Sequence, residues 1–118
     1  LNNLDLFGTQ LTNLEGISAF KKLTYLEVTS NSIDDLSAVD GNTTIEMLKL
    51  SNNPVKDLSA LDHMPVLKTV ILSRGQETNF TRPVSELPFT VEYSIYFEVL
   101  LTHKTMQRGL PRYARVFR

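Results

Sequence analysis

Two histidines, His63 and His103, are the side chains best suited to moving protons near neutral pH, and they stand 40 residues apart in unrelated segments. Neither lies beside a carboxylate or serine in a pattern that would make a catalytic triad. Both read as solvated or partly packed rings. Asp34 and Asp35, echoed by Asp57, offer hard oxygen ligands, yet their spacing lacks the alternating oxygens and the glycine of a calcium loop. Five glycines are scattered singly, so no phosphate cradle exists, and the absence of cysteine removes disulfides and thiolate metal sites. No catalytic residue, metal ligand or cofactor is assigned, and the chain is not expected to be an enzyme or to take a small-molecule substrate.

Two further features carry chemistry weakly. NTT (42–44) and NFT (79–81) fit the N-glycosylation triplet. The last sixteen residues hold five basic side chains and no acidic one. There Arg108, Arg112, Arg115 and Arg118, with Tyr113 and Phe117, have the makings of phosphate contacts and base stacking. An edge strand guarded by arginine presents the same pattern. With no nucleic-acid motif beside it, the structural reading is preferred, and nucleic acid is not an expected partner.

The chain is 118 residues long, 42% hydrophobic and of formal charge −1, as expected for one ordinary domain or a small domain with an appendage. No run of 18 apolar residues spans a bilayer, and no signal peptide opens the sequence. Because it starts at Leu1 rather than Met, a processed or trimmed start is expected. Compartment is left open by composition.

The elements that position these residues emerge from an internal echo. NSIDDLSAV (31–39) and NPVKDLSAL (53–61) lie 22 residues apart. Setting Leu1, Leu23, Ile45 and Leu67 in register aligns Leu4, Leu26, Leu48 and Val70, then Leu6, Val28, Leu50 and Leu72, with further columns at Leu11, Ile33 and Val55 and at Leu14, Leu36 and Leu58. Each unit opens LxxLxL, the alternation of a strand with one face buried, and then changes to a spacing that suits a tight turn and a 3₁₀ or extended return. One unit cannot bury its own apolar edge. Stacked units make a parallel sheet with a continuous core behind it. The ninth position reads Thr9, Asn31, Asn53, Gly75. Asn there can turn inward and bond backbone groups of the neighbouring turn, whereas Gly75 cannot, so the ladder is expected to end at Gly75. Asn42, where Phe20 and Met64 are apolar, is expected to turn its return segment outward.

These columns resemble a leucine-rich repeat array, LxxLxLxxNxIxxLxxLxxLxx, and the two echoed segments are similar to the repeats of bacterial internalins. A 22-residue intracellular phosphatase-regulatory class is a similar rival. The resemblance implies an α/β-type solenoid, a right-handed leucine-rich repeat with a short parallel β-sheet on its concave face. It also implies a non-enzymatic protein-binding role, with a secreted or cell-surface setting in host contact as the preferred biology. An intracellular scaffolding or regulatory domain joined to an enzymatic or nucleic-acid-binding region is the alternative. With no cap before Leu1, residues 1–118 are expected to be part of a longer array.

Two parts are expected: a repeat array over 1–76 and a β-rich C-terminal cap, or the start of a following domain, over 77–118. In FTVEYSIYFEVLLT, apolar Val91, Tyr93, Ile95, Phe97, Val99 and Leu101 alternate along a strand. RGLP is a turn signal, and RYARVFR reads as a strand pairing back.

Binding is expected on the concave face, where outward side chains of successive strands form rows on a rigid frame. Phe7, Tyr25, Met47 and Ile71 are large apolar groups at outward positions, rimmed by Asp5, Glu27 and Lys49. Aromatic residues and Met are enriched in interface cores. The site for a partner protein is therefore assigned to Phe7, Tyr25, Glu27, Met47, Lys49 and Ile71.

Overall fold

The computed structural model describes residues 2–94. Its frame is one sheet of short strands, β1 (Asn3–Asp5), β2 (Tyr25–Glu27), β3 (Met47–Lys49), β4 (Thr69–Leu72) and β5 (Thr90–Tyr93), arranged in chain order with every neighbouring pair parallel. Parallel neighbours require a crossover from the end of one strand to the start of the next. The second half of each unit supplies it, with 3₁₀ turns at Ile17–Ala19, Ser37–Val39 and Ser59–His63.

Register follows the apolar columns. Leu4 pairs with Leu26, Leu26 with Leu48 and Leu48 with Val70, a step of 22 residues each time. Leu26, Leu48 and Val70 are wholly buried, as are Val28, Leu50 and Leu72 in the next column and Ile33 and Leu58 on the return side. Each such side chain contributes about 1.5–3 kcal/mol by leaving water. Leu4, Leu6 and Leu11 are half-buried against the same core.

The polar ladder inside the turn has the expected members and one more. Asn31 Nδ2 donates to the carbonyls of Leu6 and Val28, both at 2.9 Å, while its Oδ1 accepts the N–H groups of Thr9 and Leu11, also at 2.9 Å. Asn53 repeats this one turn on, donating to Val28 at 2.9 Å and Leu50 at 3.1 Å and accepting from Ile33 at 3.0 Å. Gly75 does not end the ladder. Gln76 takes the next rung, its Nε2 donating to the carbonyls of Leu50 at 3.2 Å and Asn53 at 3.1 Å.

The backbone explains the displacement. Gly8, Ser30 and Asn52, each 22 residues from the next, turn the chain with positive φ of 63°, 60° and 57°. In the fourth unit the left-handed residue is Gly75, at φ 102°, one position late. Glycine adopts that conformation without the Cβ clash other residues incur. The extra residue moves the inward amide from position 75 to 76, and the longer Gln side chain still reaches the previous turn. The unit is shortened elsewhere, because Val70 pairs with Val91, a step of 21.

Thr90–Tyr93, the described part of the expected tail strand, thus continues the parallel sheet across residue 76. Val91 and Tyr93 are half-buried and Thr90 and Glu92 exposed, in keeping with the alternation. Beneath it Phe80 and Phe89 pack with ring centroids 5.9 Å apart. The rest of that expected strand, the RGLP turn, RYARVFR, His103 and the four arginines lie outside the described residues. Asn42, half-buried, closes a tight turn with its own carboxamide, Oδ1 accepting the N–H groups of Thr44 at 2.9 Å and Ile45 at 2.8 Å.

Candidate functional site

Alternate residues of a strand point to opposite faces, so burying Leu26, Leu48 and Val70 commits their neighbours to the outer face of the sheet. Two rows result. Asn3, Tyr25, Met47, Thr69 and Thr90 form one, and Asp5, Glu27, Lys49, Ile71 and Glu92 form the other, each residue in register with the next. Tyr25 and Met47 are therefore side by side on adjacent strands, and Ile71 lies beside Lys49.

The charges between them are internally matched. Lys49 Nζ is 3.6 Å from Glu27 Oε2 and 5.9 Å from the centre of the Tyr25 ring. The other Glu27 oxygen accepts the Thr29 N–H at 2.8 Å. Partial burial works against the Lys49 ammonium, but the nearby Tyr25 and Glu27 side chains outweigh it, and the pKa is raised from its ordinary value. A raised lysine pKa keeps the ammonium charged through the neutral range, so the pair persists there. Asp5 is also engaged, its Oδ1 accepting the Phe7 N–H at 3.0 Å.

Phe7 stands apart from the other assigned residues. It lies beyond the end of β1, and Gly8, the next residue, donates its N–H to Thr29 at 3.1 Å. Tyr25, Glu27, Met47, Lys49 and Ile71 form one patch over β2, β3 and β4, and Phe7 sits at its corner.

The returns behave differently. Asp35 Oδ1 accepts the Ser37 N–H at 2.8 Å, and Asp57 Oδ1 the Ser59 N–H at 2.9 Å. These bonds to the serines hold both carboxyls below the usual aspartate range. Asn13, at the equivalent position of the first unit, does the same for Glu15, so a neutral amide can serve. The pattern is turn closure.

His63 has a partner the sequence reading missed: its Nδ1 lies 2.9 Å from Asp40 Oδ1, joining two adjacent returns. The residues are 23 apart, one turn plus one position, and only the repeat register reveals their proximity. The side chains are 61% and 50% exposed, so the pair is a surface contact. At the second glycosylation triplet Asn79 Nδ2, the atom a glycan would occupy, donates to the Val55 carbonyl at 3.1 Å. Arg74, with its guanidinium 4.3 Å from the centre of the Tyr93 ring, is a further contact that sequence spacing did not suggest.

A parallel sheet built one strand per turn, leucines stacked in columns behind it and inward amides between turns define a leucine-rich-repeat solenoid. No family model and no curated protein matches the chain. Among solved structures, the crystal structure of internalin C2 from Listeria monocytogenes matches with a TM-score of 0.58 and 27% identity, over 80% of this chain and 44% of that one. The chain thus spans less than half the length of that protein. Its fold is that of a leucine-rich-repeat protein similar to the internalins. Such a fold typically serves as a non-enzymatic scaffold for protein interaction, and among the described residues no helix is long and apolar enough to cross a membrane.

Proposed function

We propose that this chain is a non-enzymatic recognition module that binds another protein on the outer face of its parallel sheet, centred on Tyr25 and Met47. The observation that carries this reading is their placement: two large, half-buried side chains held in register on adjacent strands of a braced sheet. Interfaces concentrate their energy in such anchors when a partner removes them from water. Ile71 extends the patch and Glu27 and Lys49 rim it, with Phe7 at the corner.

The surrounding architecture in this proposal is a right-handed solenoid, the hand that parallel crossovers take in nearly all cases, with 3₁₀ returns on its convex side. The cap assigned to 77–118 begins, within the described residues, as a further turn of the sheet. The likeness to internalin C2 supports a bacterial protein, secreted or at the cell surface and in contact with a host; small molecules and nucleic acid have no part in the function. The test is capture of a partner from candidate host and bacterial extracts, followed by titration of the purified partner. Replacing Tyr25 and Met47 by Ala is expected to weaken binding at least tenfold while leaving the unfolding midpoint nearly unchanged. Binding that survives the double replacement refutes the assignment.

A further inference from the structure

Resting on that reading, we infer that the segment docking on Tyr25, Met47 and Ile71 is an uncharged apolar stretch of polypeptide, and that its binding is nearly independent of salt. The state of the charges around the patch carries this. Lys49 is committed to Glu27 and to the Tyr25 ring, and Glu27 spends its second oxygen on the Thr29 backbone. The Glu27 side chain is 13% exposed and that of Lys49 32%. Asp5, in the same row, holds the Phe7 N–H.

A partner bringing a carboxylate to Lys49, or an ammonium to Glu27, must first separate a pair that is already made and partly desolvated. Separating a partly buried pair leaves one of its charges less well compensated, a cost that the replacement contact must first offset. Along the Tyr25 row the neighbouring outward groups are the Met47 thioether and the Thr69 and Thr90 hydroxyls, which suit apolar side chains and neutral hydrogen bonds, while in the other row the exposed Glu92 carboxylate stands beyond Ile71 at the edge of the patch. An interface that forms no new ion pair loses little affinity as salt rises.

The probe is a random-sequence peptide library displayed on phage, selected on the whole chain and counter-selected on the Tyr25→Ala/Met47→Ala variant. Peptides that need Tyr25 and Met47 are expected to share an uncharged apolar centre. Their affinity should change less than about threefold between about 0.05 and 0.5 M NaCl, where screening lengths shrink severalfold. Glu27→Gln should introduce salt dependence and favour peptides carrying Asp or Glu, because Lys49 is then unmatched. Peptides that need Tyr25 and Met47 but carry charge at the centre, or lose tenfold or more in salt, overturn the inference and leave the binding face standing. Peptides indifferent to the double variant overturn the binding face itself, and the inference with it.

Discussion

Asn53→Ala is the sharpest probe of the ladder that holds successive turns together. Asn53 is 8% exposed, accepts the Ile33 N–H at 3.0 Å and donates to the carbonyls of Val28, Leu50 and Ser51. These losses are unequal. Val28 keeps a second donor in Asn31 at 2.9 Å, and Leu50 keeps one in Gln76 at 3.2 Å. The Ile33 N–H, belonging to a wholly buried residue, has no such reserve. An orphaned buried donor costs about 1–3 kcal/mol and each of the three half-satisfied carbonyls about 0.5 kcal/mol, so the variant should lose about 2.5–4.5 kcal/mol. That is a large share of the roughly 5–15 kcal/mol typical of a domain, and urea unfolding followed by circular dichroism resolves it. Asn31→Ala should cost less, about 1 kcal/mol, since its contacts with Thr9 are exposed and water can replace them. Asn53→Asp should fare no better than Ala, because a carboxylate would face three carbonyls. A loss below about 0.5 kcal/mol for Asn53→Ala, with an unchanged denaturant slope, would refute the reasoning.

Other variants test other levels of the structure. Leu48→Ala, at a wholly buried site in the central strand, should cost about 2–5 kcal/mol by the same unfolding measurement. Gly75→Ala meets no atom within 4 Å, so its cost should come from the φ of 102° alone, about 1–2 kcal/mol. Asp35 and Asp57 have lowered folded pKa values, so their stabilisation is present above the unfolded aspartate value and is lost as pH falls through the folded one. Replacing both by Asn, which closes the turn without charge at Asn13, should lower stability slightly at neutral pH and flatten its decline below about pH 3.9. An acid limb identical to that of the parent chain would refute the role of those carboxylates.

The solenoid was legible because its physical cause is periodic. A leucine stacked every 22 residues leaves columns in the sequence, and the inward Asn31 and Asn53 stand in one of them. The fourth unit escaped because it gains a residue at Arg74–Gly75 and loses two after it. A fixed-period comparison therefore lands on Gly75 and misses Gln76, and it reads Thr90–Tyr93 as the start of something new when it is β5. Contacts between turns were hidden for a related reason: Asp40 meets His63 at an offset of 23, and short-range motifs do not see that far. On the outer face, alternation found Tyr25, Met47 and Ile71, since every second residue of a strand is predictable once its neighbours are buried. Alternation says nothing of what lies beyond a strand's end, so it did not distinguish Phe7, past the end of β1, from the residues of the two rows. Nor does it reveal that Glu27 and Lys49 satisfy one another, a fact of side-chain reach across neighbouring strands.

The central claim, that a partner protein covers the outer face of the sheet, is tested most directly by hydroxyl-radical footprinting of the chain with its captured partner. Oxidation of Tyr25, Met47 and Ile71 should fall severalfold in the complex, while that of Phe20 and Val66, both 37% exposed and off that face, stays constant. Protection at Phe20 and Val66 with Tyr25 and Met47 unchanged would contradict the account.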